Sequence, residues 1–147
     1  MSAIYLLDTS VLSHLRPGRG EVPTPVIEWF RAREDRSYLS VVTLLEFERG
    51  VAKLLRQGHS AKARAVSSWV ETLLSHYSDR IIDINANTAR CAGRLEDRAV
   101  GQGFAPGLAD ALIGATALMH DGVVVTRNIR HFQQLGVDCA DPFAMPV

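Results

Sequence analysis

The chain has 147 residues, of which 47% are apolar and 22% are charged, as in an ordinary globular protein. Sixteen basic residues balance sixteen acidic ones, so no strong net charge indicates a nucleic acid partner. The sequence has no C-x-x-C pair and no apolar run near the ~20 residues of a membrane span, so neither a zinc site nor a membrane segment is predicted. We expect one cytoplasmic domain, residues 1–147, in which Cys91 and Cys139 are buried and reduced.

The first predicted element is a short apolar run, Ile4 to Leu7, which ends at Asp8, Thr9 and Ser10. An apolar run bounded by capping residues indicates a buried parallel strand. Open α/β sheets bind their ligands at the carboxyl ends of such strands. Asp8 therefore has two interpretations, a helix N-cap or a carboxylate that binds a metal ion.

Apolar spacing and turn residues predict alternating helices and strands along the rest of the chain. The later strands are predicted at residues 37–42, 80–84, 123–126 and 137–139. The helices are predicted at residues 11–15, 26–30, 43–57, 60–77, 85–100, 111–120 and 127–132. This alternation predicts a three-layer α/β/α domain around a central parallel sheet of four or five strands.

Four polar side chains fall at the carboxyl end of the predicted sheet. Asp8 follows the first strand, Glu46 opens the helix after the second, and Asn128 follows the fourth. Asp110 opens a helix that leads into the fourth strand, so that helix also begins at the carboxyl end of the sheet. Each acid has a structural alternative, because helix N-termini favour acids. For Glu46 the alternative is a capping box with Thr43.

The convergence of three carboxylates has a chemical consequence. Like charges in one cleft raise one another's pKa unless a cation neutralises them. Oxygen ligands without Cys or His favour Mg²⁺ or Mn²⁺ over zinc. Such an ion can activate water and stabilise the leaving oxygen of a phosphodiester. The pattern therefore predicts metal-dependent hydrolysis of phosphodiester bonds.

Four segments resemble the signature blocks of PIN-domain ribonucleases, and most closely those of VapC and FitB-like toxins from type II toxin–antitoxin pairs. The segments are LLDTSVLS, TLLEFERG, LADALIGATAL and VTRNIRHFQQLGV. Their order and the chain length also match that family. The resemblance implies a PIN-like fold, an Mg²⁺- or Mn²⁺-dependent endoribonuclease that cuts cellular RNA, a small VapB-like antitoxin as partner, and a homodimer.

The resemblance also assigns site residues. The family's acidic, metal-binding positions fall on Asp8, Glu46 and Asp110, and its fourth catalytic position, often Asp, falls on Asn128. Asn removes one negative charge, which puts a second metal ion in doubt, although its carbonyl can still accept from water. The family's small hydroxyl positions, which would orient carboxylates or metal-bound waters, fall on Thr9, Ser10 and Thr126.

Two surfaces are candidates for partners. Apolar residues on the helices after the first two strands are candidates for the antitoxin groove, with core packing as the alternative; they are Leu12, Leu15 and Phe47. A second set lies four residues apart on one predicted helix and forms either a solvated face or an RNA contact; it comprises Arg90, Arg94 and Arg98.

Three other protein classes compete with the ribonuclease hypothesis. A non-catalytic interaction protein on the same fold would not need the three acids. A haloacid-dehalogenase-type phosphohydrolase also places an Asp after its first strand, but its D-x-D motif would require a second Asp where Ser10 stands. DNA-acting or ribosomal-RNA-processing relatives of the fold carry additional modules, which the short chain does not favour.

Overall fold

The structure is a computed structural model that describes residues 3–144. A five-stranded parallel sheet lies at its centre, with the strand order β3-β2-β1-β4-β5. The strands are β1 Tyr5–Leu7, β2 Ser37–Ser40, β3 Ile81–Ile82, β4 Val123–Val125 and β5 Cys139–Ala140. We call the side of the sheet where these strands start its amino end and the side where they finish its carboxyl end.

Seven α-helices and two short 3₁₀ helices connect the strands within residues 3–144. The α-helices are α1 Thr9–Leu15, α2 Thr24–Ala32, α3 Val41–Arg56, α4 Ser60–His76, α5 Ala86–Gly101, α6 Leu108–Met119 and α7 Ile129–Gln134. The 3₁₀ helices are Glu34–Arg36 and Pro142–Ala144. None of the helices in this described part combines the length and apolar content needed to cross a membrane.

Alternating side chains of the central strands build one hydrophobic core on each face of the sheet. Leu6 and Val124 pack into a cluster with residues of α5, α6 and α7. The next residues, Leu7 and Val125, point to the opposite face and pack with residues of α1, α2, α3 and α4. All four side chains are at most 1% exposed. The predicted α/β/α fold with a parallel sheet is therefore confirmed.

The second strand is shorter than predicted, because a serine starts the following helix early. Ser40 Oγ accepts a hydrogen bond from the backbone N–H of Val42 (3.0 Å), so α3 begins at Val41. Thr43 lies inside the first turn and is 1% exposed, and its Oγ1 has no partner among the residues described. The predicted capping box of Thr43 and Glu46 is therefore wrong.

The predicted burial or exposure of four side chains also needs correction. Leu12 and Phe47, proposed for the antitoxin groove, are 2% and 6% exposed and belong to the core between α1, α3 and α4. Only Leu15 of that set is partly exposed. Cys91 and Cys139, predicted to be buried, are free and only partly buried, because each lies at the margin of the core that contains α5, α6 and α7.

Candidate active site

Asp8 lies between the two central strands at the carboxyl end of the sheet. Its backbone N–H donates to the carbonyl oxygen of Val125 in β4 (2.9 Å), which extends the ladder by one residue beyond β1. The side chain is buried, and its Oδ2 accepts hydrogen bonds from Ser10 Oγ and Thr126 Oγ1, both at 2.8 Å. Hydroxyls from α1 and from the end of β4 thus hold the carboxylate in place.

Glu46 approaches the same place from α3. Its Oε1 accepts a hydrogen bond from Thr9 Oγ1 at the start of α1 (2.8 Å). Burial is the largest effect on Glu46 and raises its pKa, while the Thr9 hydrogen bond lowers it. The neighbouring carboxylates of Asp8 and Asp110 raise the pKa further, and Arg49 opposes them. Asp8, Glu46 and Asp110 therefore share one electrostatic environment.

Asp110 is the third residue of α6 and is paired with a histidine. Its Oδ2 lies 2.8 Å from Nδ1 of His131 on α7. Because a carboxylate can only accept, His131 Nδ1 carries the hydrogen and donates it. Burial raises the pKa of Asp110, the His131 hydrogen bond lowers it, and the charge of Asp8 raises it again.

His131 was missed in the sequence analysis. The available signal was its position in the VTRNIRHF segment, three residues after Asn128 and therefore one helical turn away. Spacing alone could not predict its partner, because Asp110 lies 21 residues earlier on another helix.

Asn128 occupies the N-cap position of α7, on a loop fixed by the hydroxyls that hold Asp8. Its backbone N–H donates to Thr126 Oγ1 (2.9 Å), and the backbone N–H of Arg127 donates to Ser10 Oγ (3.0 Å). The two hydroxyls are themselves 3.2 Å apart. The network places the backbone of Asn128 next to the Asp8 carboxylate.

Helix capping does not account for the four predicted site residues. In the described part of the chain, Asp8 and Asn128 stand at N-cap positions of α1 and α7, but neither side chain makes a capping hydrogen bond. Glu46 and Asp110 direct their side-chain hydrogen bonds to Thr9 and His131 instead. Side-chain capping therefore explains none of the four residues, although Asp110 lies in the first turn of α6, where a helix N-terminus favours an acid.

The donor atoms of the three acids fit a hard divalent cation. Each carboxylate is bound through one oxygen and keeps a second oxygen without a hydrogen-bond partner among residues 3–144. Within the same residues, no three His, Cys, Asp or Glu side chains are arranged as a metal-binding group. The carboxylates can therefore affect one another's pKa without forming a metal-binding group, because charges interact over about 10 Å, whereas Mg²⁺ needs its ligands at about 2.1 Å. The acids would have to close around an ion.

Comparison with known proteins places this geometry in a family. The model of the PIN domain family matches residues 5–137. Toxin FitB of Neisseria gonorrhoeae is 32% identical over 144 residues, which cover 95% of this chain and 99% of FitB. VapC ribonuclease Y4jK of Sinorhizobium fredii is 28% identical over 143 residues, with 95% of this chain and 98% of Y4jK covered.

A solved structure supports the same assignment. The crystal structure of FitAcB from Neisseria gonorrhoeae contains a chain that superposes with a TM-score of 0.81 at 28% sequence identity. The match covers 97% of this chain and 100% of the other. From the family match and the relatives that span almost the whole sequence, we conclude that this chain belongs to the PIN domain family.

Proposed function

We propose that this chain is a metal-dependent endoribonuclease that acts in the cytoplasm as the toxin of a type II toxin–antitoxin pair, with residues 1–147 as one nuclease domain. The observation that carries the proposal is the cluster of Asp8, Glu46 and Asp110, whose charges interact and whose free oxygens remain available to a ligand. The relatives named VapC ribonuclease and toxin FitB, matched over nearly their full length, supply the reaction class.

In this proposal Asp8, Glu46 and Asp110 hold Mg²⁺ or Mn²⁺ through their oxygens. When bound, the ion would activate a water molecule and stabilise the leaving oxygen of the phosphodiester. The protein's own contribution is orientation. Thr9, Ser10 and Thr126 each bind one carboxylate oxygen and so direct the second oxygen of that carboxylate toward the cleft. His131 does the same for Asp110.

Asn128 has a separate role in the proposal. Its carbonyl oxygen can accept from a water, and its amide can donate to a phosphate oxygen. The loop that carries it is tied to the Asp8 network through Thr126 and Ser10. Asn128 therefore positions the attacking water or the scissile phosphate, without contributing a fourth negative charge.

The partner would be a small VapB-like antitoxin. Leu15, Ile27 and Phe30 form the apolar side of a cavity of about 410 Å³, whose other lining residues are Arg31, Glu34 and His76. An apolar antitoxin segment would fit this cavity, which takes the place of the groove that we had assigned to Leu12 and Phe47. Ile27→Asp, at a position that is 36% exposed, should abolish capture of the neighbouring small reading frame's product without changing RNA cleavage.

We also propose a homodimer, which analytical ultracentrifugation would test.

A non-catalytic interaction protein is the alternative function. It is favoured by one observation, that no three potential ligands within residues 3–144 form a metal-binding group. The two functions differ in their need for the acids. A catalytic role requires carboxylates at positions 8, 46 and 110, whereas an interaction protein would tolerate their loss.

The deciding experiment is cleavage of a 5′-labelled RNA with single-stranded loops by purified protein in Mn²⁺. We expect cleavage by the wild type that disappears with chelator and in Asp8→Ala. Glu48→Ala on the solvent side of α3 is the matched control and should cut like the wild type. Cleavage that persists in chelator and in Asp8→Ala would contradict the metal mechanism, and no cleavage of any RNA would favour the interaction protein.

A further inference from the structure

A groove lined by cations leads away from the candidate active site along α3. It is an open depression of about 570 Å³ whose lining residues all belong to α3, and we call it the α3 groove. It is lined by Glu46, Arg49, Gly50, Ala52, Lys53 and Arg56. Glu46 belongs both to this groove and to the acid cluster, so the groove opens directly onto the candidate active site.

The cations of the α3 groove form no ion pairs within the described residues, although Arg49 lowers the pKa of Glu46. Arg49, Lys53 and Arg56 follow one another at intervals of four and three residues, so they lie on one face of α3. All three are exposed, and none forms an ion pair within residues 3–144, in contrast to Arg80 and Arg127. Three unpaired cations beside an acid cluster attract an anion that extends beyond the site itself.

Gly50 leaves the surface of the α3 groove without a side chain between two of its cations. Gly50 lies in the middle of α3, where glycine costs about 1 kcal/mol relative to alanine. A Cβ at this position would meet nothing within 4 Å, so packing does not require glycine. The missing side chain instead lets another molecule come close to the helix between Arg49 and Lys53.

We propose that the α3 groove binds the phosphate backbone of the RNA strand next to the scissile bond. This inference rests on the proposed ribonuclease function and extends it to substrate binding. From Glu46 to Arg56 the helix rises about 15 Å, at 1.5 Å per residue, which is long enough to follow several nucleotides. The lining contains no aromatic side chain on which a base could stack. The groove therefore contacts phosphates and is indifferent to base sequence.

A second copy of the chain is a less suitable occupant. A two-fold contact uses the same patch on both copies. It would bring Arg49, Lys53 and Arg56 of both copies together in one interface, and like charges placed face to face repel one another. An RNA strand supplies the opposite charge instead.

The first test measures binding without cleavage. The groove variant combines Arg49→Gln, Lys53→Gln and Arg56→Gln, since glutamine preserves helix propensity. It is made in an Asp8→Asn background so that the RNA is bound but not cut. The probe is a fluorescein-labelled single-stranded RNA of mixed sequence, titrated at several salt concentrations. Each lost phosphate contact reduces the slope of log affinity against log salt by about 0.7, so the slope should fall by about 2.

A matched control removes the same charge elsewhere. Arg31→Gln, Lys62→Gln and Arg64→Gln replace three exposed cations on α2 and α4 that form no ion pair in the described residues. In the same Asp8→Asn background, this control variant should retain the slope of Asp8→Asn alone. Equal slopes for the groove variant and Asp8→Asn, or an equal loss in the control variant, would overturn the proposal. So would a change of oligomeric state in the groove variant with RNA affinity unchanged.

The second test separates binding from chemistry in the Asp8 protein with Mn²⁺. Arg49 is kept in this test because it lowers the pKa of Glu46, and Lys53→Gln with Arg56→Gln should raise KM for RNA by about threefold or more while kcat stays within about twofold. Hydrolysis of bis(p-nitrophenyl) phosphate, which has no extended backbone, should be unchanged. A parallel loss of activity toward both substrates would overturn the groove. If the wild type hydrolyses neither substrate but the slopes still differ as expected, the ribonuclease proposal fails and the groove stands.

Discussion

Acidic side chains at the two ends of the sheet have different charged neighbours. At the amino end, Glu34 is surrounded by cations of the protein. Nη2 of Arg80 lies 3.3 Å from Glu34 Oε1, and His76 Nε2 pairs with the same oxygen. Nη1 of Arg80 donates to the carbonyl oxygens of Glu34 and Ser37, and the guanidinium lies 4.7 Å from the ring centre of Tyr77. The charge of Glu34 is therefore matched by partners within the protein.

At the carboxyl end, three acids share a smaller positive charge. Asp8 is held by neutral hydroxyls, Glu46 is opposed by Arg49, and Asp110 is paired with His131. Burial and mutual repulsion raise the pKa of both Glu46 and Asp110. In the proposed function, a divalent cation would neutralise the excess negative charge at this end.

The comparison also limits what a perturbed pKa can indicate. Burial raises the pKa of Tyr77 to about 12, with Glu34 adding to the shift and Arg80 opposing it. Tyr77 nevertheless lies at the amino end, beside the paired charges of Glu34 and Arg80. A perturbed pKa indicates a functional site more strongly where charge also remains unpaired. The carboxyl end meets both conditions and the amino end meets one.

The largest difference between the two ends should appear in catalysis. Asp8→Asn removes a proposed metal ligand, and we expect RNA cleavage to fall by about a thousandfold, equivalent to about 4 kcal/mol in the barrier. Glu34→Gln at the amino end should retain activity within about twofold, because Glu34 contacts only structural groups. A quenched fluorescent RNA in Mn²⁺ measures both rates. Similar losses in the two variants would abolish the distinction between the ends.

The next effect is on stability and belongs to the amino end. Arg80→Met should lower the free energy of unfolding by about 2 kcal/mol, because two backbone carbonyls and Glu34 lose a donor whose side chain is only 16% exposed. Cleavage by the folded protein should be unchanged. Urea denaturation measures the loss, and Arg64→Met, on the exposed face of α4, is the control. A loss below about 0.5 kcal/mol would mean that this network is no more than a surface ion pair.

Asn128 provides a change of opposite sign at the carboxyl end. Asn128→Asp adds a fourth negative charge and should tighten Mn²⁺ binding by about fivefold, near 1 kcal/mol. Stability should change little, since Asp also suits an N-cap position. Calorimetric titration compares it with wild type and with Asn87→Asp on α5. Equal affinity and stoichiometry in all three would assign Asn128 to the scaffold.

The smallest predicted effect is a pH dependence of the free energy of unfolding, measured on protein kept metal-free with a chelator. Because the pKa of Glu46 is raised above the usual 4.5, its contribution to stability is fully present below that value. The contribution is lost as pH rises through the folded-state pKa. Glu46→Gln should therefore become more stable than wild type toward neutral pH, by roughly 0.5 kcal/mol. Thermal unfolding from pH 4 to 7 measures this gain, with Glu48→Gln as control. A gain that grows toward low pH would reverse the assigned sign.

Much of the fold was predictable because its signals are local. The apolar run before Asp8, the strand–helix alternation and the parallel order follow from sequence spacing alone. The start of α3 was misplaced because Val41 and Val42 favour strands, whereas the Ser40 side chain caps the helix one turn earlier than expected. A single hydroxyl thus overrode propensity.

The site was predictable only in part, for a related reason. Topology brings Asp8, Glu46 and Asp110 to one end of the sheet, and that placement follows from element order. The partners of these acids do not follow from it. Thr9 reaches Glu46 across 37 residues and His131 reaches Asp110 across 21, through side-chain rotamers that depend on the packed helices. Sequence spacing carries no information about such contacts.

The central claim is that the carboxyl end of the sheet is completed by a divalent cation. Calorimetric titration of Mn²⁺ into chelator-treated wild type and into Asp8→Asn tests it most directly, since it needs neither RNA nor partner. We predict saturable binding to wild type, a rise in its unfolding temperature with Mn²⁺, and loss of both effects in Asp8→Asn but not in Glu34→Gln. Equal heats and equal unfolding temperatures in wild type and Asp8→Asn would contradict the claim.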